Sequence, residues 1–322
     1  MRECGYEMIF ECAWFWCSRS VWNEEADRYE IRDVIGPDEY TEHIDNNAYT
    51  NYIAQYVVSV AVRIFESLHE NDIQLLEFLD GKLGLKERYE KYRSVSEKLY
   101  LPKADGNGII PQDDTFLSKG EIDISKYRNH PVKQAILLDY SRDRINDLQI
   151  LKQADVVMLM HTLKGLFDKK TMEANWKYYE ARTIHDSSLS MAVHSIVAAY
   201  FEDLETAYKC FLEACCIDMG QNPESSDAGI HAASMGGIWM SVIFGFGGVF
   251  NNEGVLELNP ALPGNWQELS FGLVWRNNKT NIKVDRKRIV LTSEDSSEIS
   301  LKIWGKSYSF KNRLEIEYTL KI

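Results

Sequence analysis

The sequence predicts a mainly helical chain that ends in a small β domain, and two changes of pattern carry that expectation. From Arg2 to about Phe250 apolar residues recur at helical spacing, whereas after Pro260 the period drops from 3.6 to 2. Pro260, Pro263 and Gly264 punctuate the stretch from Glu253 to Trp266, so the expected boundary separates a helical domain over 1–252 from a β domain over 253–322.

Helices are expected over roughly 4–18, 46–68, 71–97, 144–166, 169–182, 188–201, 203–217 and 231–246. The clearest is 46–68, where Tyr49, Ile53, Tyr56, Val57, Val60 and Ile64 share one face after Asp45, a good N-cap type. Between Leu101 and His130 the periodicity lapses while Pro102, Gly106, Gly108 and Pro111 accumulate, which reads as a long structured loop and a functional rim. Short antiparallel strands are expected where apolar residues alternate: Leu269, Phe271 and Leu273; Ile282 and Val284; Ile299, Leu301 and Ile303; Leu314, Ile316, Tyr318 and Leu320.

Composition narrows the function classes. With 45% hydrophobic and 26% charged residues the 322-residue chain has material for a sizeable core. Its 36 Lys+Arg against 49 Asp+Glu leave a net charge of −13, which opposes nucleic-acid binding. The longest apolar stretch, Gly236 to Phe250, is shorter than the ~20 residues of a membrane span and reads as a buried helix. The six cysteines form no CxxC pair, so buried free thiols and no structural metal are expected. No secretory leader is visible after Met1, and a cytoplasmic location is expected.

Four blocks carry the chemistry. Arg28 to Tyr40 ends in Gly36-Pro37-Asp38-Glu39-Tyr40, which places two adjacent carboxylates at a turn between helices; alone, it would read as a solvated acidic turn. Leu151 to Val157 contains Lys152 and Gln153, otherwise a solvated helix corner. Thr183 to Ser190 contains His185, Ser187 and Ser188, where the serines could serve as caps and His185 as a core histidine. Gly229 to Gly237 contains His231 and Ser234.

In this order the four blocks resemble glycoside hydrolase family 65, which holds inverting phosphorylases of maltose, kojibiose, nigerose and trehalose, and some trehalases. The first block, with Glu42-His43 and Asp45 to Asn51, is similar to the family's general-acid region, although Thr41 stands where members commonly have His. The resemblance implies the C-terminal part of an (α/α)6 toroid followed by a small antiparallel β-sandwich. A large N-terminal sandwich and the first barrel helices, with a Trp-Asp sugar-binding element, would have no counterpart here.

What the resemblance implies for chemistry is phosphorolysis of an α-glucosyl disaccharide to β-glucose 1-phosphate and a free sugar. Glu39 is the implied acid, kept protonated by repulsion from Asp38 and by an apolar surround. Lys152 and Gln153 would bind the glucose hydroxyls, and His185, Ser187, Ser188, His231 and Ser234 the phosphate, aided by exposed N–H groups at a helix N-terminus. Inorganic phosphate is then the co-substrate, with no cofactor and no metal. A trehalase-type hydrolase, or an inactive fragment that needs the missing half, are the alternatives. A homodimer or a complementing N-terminal half are the partners to expect, with neither membrane nor nucleic acid.

Overall fold

The computed structural model describes residues 4–128, 130–153, 155–219, 229–295 and 297–318. Ala154, in the Lys152 block, and Leu320, expected in the last strand, lie outside the described residues. The chain divides into two compact units, one of residues 1–162 with 169–184 and one of 163–168 with 185–322. A mainly helical body is followed by a small β domain, as the sequence predicts.

The first unit contains α1 (Gly5–Arg19), β1 (Ser20–Asn23), β2 (Arg28–Ile31), α2 (Ala48–Asn71), α3 (Ile73–Leu83), α4 (Leu85–Lys98), α5 (Ser125–Arg128), α6 (Arg142–Asn146), α7 (Asp155–Thr162) and α8 (Lys169–Glu180). The second contains α9 (Ser190–Tyr200), α10 (Leu204–Met219), α11 (Ala232–Met240) and the strands β3 (Val249–Asn252), β4 (Val255–Leu258), β5 (Glu268–Trp275), β6 (Asn278–Asp285), β7 (Arg288–Ser293), β8 (Ile299–Ile303), β9 (Lys306–Phe310) and β10 (Arg313–Glu317).

Several expectations are corrected. The helix expected over 71–97 is two helices, α3 and α4, because Gly84 adopts a left-handed conformation (φ 67°) that ends the first and starts the second. The helix expected over 144–166 is broken into α6, α7 and a 3₁₀ turn over 164–166. Helix α2 forms as expected but buries a different face: Ala48, Asn51, Ala54, Val58, Ala61, Val62, Phe65 and Leu68 are buried, while Tyr56 is exposed. Small residues line this face because α1 and α4 pack directly against it, and Val57 and Ile64 only flank the same core. The N-cap is Asn47, whose side chain accepts from the Thr50 backbone N–H, whereas Asp45 Oδ1 accepts from Asp33 N (2.9 Å). Two short strands, β1 and β2, pair as a hairpin that the sequence reading did not anticipate.

In the β domain the strands begin at Val249, before Pro260. One sheet, in the order β10-β7-β6-β5, is antiparallel; the other, β3-β4-β8-β9, is mixed, because β4 and β8 pair in parallel. That pairing corrects the expectation of a purely antiparallel domain. Three strands of the antiparallel sheet, β5, β6 and β7, lie between β4 and β8 in the chain, and so long a connection does not impose hairpin geometry. Of the six cysteines, all free, only Cys17 and Cys210 are buried, and burial pushes the Cys17 thiol up to about 12. Among the described residues no helix is long and apolar enough to cross a membrane.

The hairpin that leads into the acidic turn is clamped by Glu30. Its buried carboxylate takes Arg28 (2.8 Å) and Arg32 (2.7 Å) as ion pairs and a hydrogen bond from Asn23 Nδ2 (3.0 Å). Burial alone would raise its proton affinity, but the bonds from Arg32, Arg28 and Asn23 prevail and hold it below its ordinary 4.5. A depressed carboxylate contributes stability that is complete above the unfolded-state value and is lost as pH falls through the folded-state value. Glu30→Gln should therefore lower stability by about 1–2 kcal/mol at neutral pH. In denaturant titrations the gap from wild type should close below pH about 4.

Candidate active site

After β2 the chain makes a closed loop back to α2. Val34 and Ile44 exchange two backbone hydrogen bonds (3.0 Å each), and Asn46 N donates to Ile31 O (2.8 Å). Asp33, His43 and Asn46 all take left-handed conformations (φ 54–55°), and His43 Nδ1 lies 2.7 Å from Asp33 Oδ1. Non-glycine residues adopt such angles where the surroundings hold them, and here they turn the loop so that Gly36 to Tyr40 forms its tip.

Asp38 anchors that tip. Its side chain is fully buried and meets only donors: Oδ1 accepts from Lys152 N (2.8 Å) and Tyr40 N (3.3 Å), and Oδ2 from Thr41 Oγ1 (3.0 Å) and Gln112 Nε2 (3.0 Å). Burial raises its proton affinity, and these four bonds pull against that rise. Asp38 was expected to act on Glu39 by like-charge repulsion; instead it turns inward and fixes the backbone on both sides of Glu39. Thr41, the departure from the family pattern, is buried and belongs to the same network.

Glu39 itself is solvent-facing in this chain, with its side chain 57% exposed and its carboxylate paired with Lys152 Nζ. This corrects the expected apolar surround, because the turn points Asp38 into the core and Glu39 out of it. Gln153 Nε2 donates to the carbonyl oxygen of Pro37. Leu151, just before, is tied to the end of the α8 segment by Leu151 N to Arg182 O (3.0 Å) and Ile184 N to Leu151 O (2.8 Å). Glu39, Lys152 and Gln153 therefore converge, although they are separated by more than a hundred residues in the chain.

Beneath the turn lies a second buried carboxyl. Asp155, at the start of α7, receives Asn47 Nδ2 on Oδ2 (2.7 Å), and its Oδ1 has no hydrogen-bond partner among the described residues. Burial, reinforced by the charge of Asp38, drives its proton affinity well above the ordinary value, against the hydrogen bonds from Asn47 and the Val156 backbone. Gly36 sits directly on this pair: a Cβ there would come within 2.5 Å of Asn47 Nδ2 and 2.8 Å of Asp155 Oδ2. Asn47 cannot yield easily, since Oδ1 accepts from Thr50 N and Thr50 Oγ1 (2.9 Å each) and Nδ2 also donates to Gln112 O (3.3 Å).

The second unit holds the other candidates. His185 is buried in a left-handed conformation (φ 64°), its Nδ1 2.8 Å from Ser190 Oγ and its ring edge-on to His194 with centroids 4.5 Å apart. Ser187 and Ser188 are half-buried in the connection to α9, and Ser187 Oγ accepts from Leu189 N (3.2 Å). His231 occupies the N-cap position of α11, with Ala232 and Ala233 exposed beside it. Ser234 is fully buried, and its Oγ has no hydrogen-bond partner among the described residues. His231 is bonded through both its backbone and its ring to Asp218.

Sequence reasoning missed Asp38 as an anchor, and missed Gln112, Asp155 and Asp218 altogether. Asp155 stands two residues past Gln153, and Gln112 lies in the 101–130 loop read as a rim, so both were within reach of the motifs.

Two substitutions test the support beneath the turn. Gly36→Ala should cost about 1–3 kcal/mol in chemical denaturation, because the new methyl meets two fixed side chains. Asp155→Asn removes a group that takes up a proton on folding, whose cost grows as pH rises above its ordinary 3.8. The variant should thus match wild type near pH 4 and exceed it in melting temperature at pH about 7.

Comparisons with known proteins give the family. The model of the glycosyl hydrolase family 65 central catalytic domain matches residues 1–240, and that of the family 65 C-terminal domain matches 251–310. A kojibiose phosphorylase of Escherichia coli is 45% identical over 94% of this chain and 38% of its own length. One from Halothermothrix orenii is 41% identical over 97% of this chain and 40% of its own. A solved structure of a protein from the human microbiome superposes with a TM-score of 0.89 at 29% identity, covering all of this chain and 47% of that one. The chain spans about 40% of the length of the curated relatives it matches. With a central-domain match over 240 residues and a C-terminal match that follows it in order, the chain belongs to glycosyl hydrolase family 65.

Proposed function

We propose that this chain carries the acid-bearing part of an inverting phosphorylase of α-glucosyl disaccharides. The observation that supports it most is the Glu39 carboxylate, presented by a turn that Asp38 pins from below and set against Lys152 and Gln153. Glu39 donates its proton to the glycosidic oxygen as the bond to the anomeric carbon breaks. A phosphate oxygen attacks that carbon from the opposite face, giving β-glucose 1-phosphate and the free sugar. Lys152 and Gln153 hydrogen-bond the glucose hydroxyls, so the sugar competes with Glu39 for the Lys152 ammonium. His185, Ser187, Ser188, His231 and Ser234 are the proposed phosphate ligands. Phosphate is already an anionic nucleophile, so the second carboxylate of an inverting hydrolase is not required. The co-substrate is inorganic phosphate, with no further cofactor.

The relatives reported are phosphorylases, which favours phosphate over the water of a trehalase. Kojibiose phosphorylases range from 36% to 45% identity, against 36% for a trehalose phosphorylase of Thermoanaerobacter brockii and 28% for a maltose phosphorylase of Bacillus subtilis. Kojibiose is therefore the first disaccharide to try. Free thiols at exposed Cys4, Cys12 and Cys216 suit a reducing cytoplasm.

A second reading is favoured by the share of the relatives that the chain spans and by the face of α1. Met8 and Phe15 are 63% and 54% exposed there, and Cys4, Met8, Cys12 and Phe15 follow one another at about one turn each. On that reading the helical body is part of an (α/α)6 toroid, and activity requires a second polypeptide to complete it.

Kojibiose, nigerose, trehalose and maltose should each be incubated with the chain, with and without inorganic phosphate. The expected outcome is β-glucose 1-phosphate formed from one of them only when phosphate is present, with Glu39→Gln slowing it by about 10²–10⁴-fold at unchanged folding. Glucose release at the same rate without phosphate would mean a hydrolase. Activity that appears only on addition of a polypeptide covering the rest of the family's length would establish the second reading, and sedimentation would show whether the active species is a homodimer.

A further inference from the structure

Asp218, in the last turn of α10, is not part of any motif, yet it makes two bonds to one residue 13 positions further on. Its Oδ2 accepts from the backbone N–H of His231 (2.8 Å), and its Oδ1 lies 2.9 Å from the ring Nδ1 of the same histidine. The Asp218 side chain is 4% exposed and that of His231 34%, so the carboxylate backs the ring from inside. The hydrogen bonds from His231 hold the Asp218 carboxyl below its ordinary value, so that it is an acceptor only. An acceptor facing Nδ1 requires the ring proton to sit on Nδ1. In the neutral ring Nε2 is then a lone-pair acceptor, and the second bond, to the backbone, fixes where that lone pair points relative to the start of α11.

We propose that Asp218 is a positioning residue: it locks His231 in the Nδ1–H tautomer, so that Nε2 accepts a hydrogen bond from an oxyanion that still carries a proton. This rests on the phosphate reading of His231 given above. Its consequence is selectivity. Monohydrogen phosphate has a P–OH to give to Nε2 and keeps its unprotonated oxygens for attack on carbon. Sulfate, of similar size and charge, has no proton near neutrality and would set a lone pair against a lone pair. An acceptor left without a donor counts against the ligand that lacks one. No bond is made or broken at His231 in this step; it orients the nucleophile.

Nitrogen-15 NMR of the histidine rings at pH about 8 tests it, where an ordinary imidazole is neutral. His231 is assigned by its loss in His231→Gln, and inorganic phosphate and inorganic sulfate serve as probes. The expected result is a protonated Nδ1 and an unprotonated Nε2 at His231, with Nε2 shifted by phosphate at concentrations at least about tenfold lower than by sulfate. Asp218→Asn should move the proton or mix the tautomers, and Asp218→Glu should restore the wild-type signature. A proton on Nε2 in the wild-type chain overturns the inference whether or not the variants fold, as does an Asp218→Asn ring with an unchanged tautomer. If the tautomer is as stated and depends on Asp218 but neither anion perturbs the ring, the phosphate reading fails and the positioning role stands.

Discussion

The carboxylate of Asp38 is the constraint on which the acidic turn depends. It is fully buried, and among the described residues its desolvation is offset by the four donors it collects: two backbone amides, one hydroxyl and one side-chain amide. Those donors come from three places in the chain, the turn itself, the 101–130 loop through Gln112, and the segment before α7 through Lys152 N. Removing the charge releases all three at once. A single buried group thus converts a surface turn, which would otherwise sample many conformations, into a fixed platform for Glu39.

Asp38 and Asp155 illustrate how two buried carboxyls of like chemistry are separated by their donors. Both are fully buried, and each is pushed upward by desolvation. Asp38 has donors on both oxygens, whereas Oδ1 of Asp155 has none among the described residues and Asp155 feels the charge of Asp38 in addition. The arrangement that costs least is one ionised and one protonated group, the division that unequal environments impose on any close pair of carboxyls. Asn47 and Gly36 occupy the space between, so the N-cap of α2, the turn and the start of α7 are settled by the same contacts.

Local patterns made the helices legible, since the apolar period and the caps act within a few residues. The buried face of α2 was not, because Tyr49, Ile53, Tyr56 and Ile64 satisfy the periodicity as well as the smaller residues that pack inside. What decided between the faces was the close approach of α1 and α4, a tertiary fact. The parallel pairing of β4 with β8 is of the same kind, set by a connection of some forty residues. In the site, Glu39, Lys152 and Gln153 could be read because each sits in a compact motif. Asp38 was read as a second charge on the same turn, but adjacent residues of a turn point in different directions. Asp218 was invisible, since its only signal is a contact with a residue 13 positions away, across a segment with no periodic pattern.

The exposure of Glu39 bears on how the proposed acid acts. A general acid must hold its proton until the glycosidic oxygen needs it, and in this chain the carboxylate faces solvent with an ammonium beside it. Taking water and an ammonium away from a carboxylate favours its neutral form. On the proposed reading a glucose unit bound over the turn would do both, because its ring would displace water from Glu39 and its hydroxyls would engage Lys152. The rigid part of the arrangement is the backbone that aims Glu39. This explains why the investment in buried hydrogen bonds lies under the turn, at Asp38, Asn47 and Gln112, and not around the Glu39 carboxyl itself.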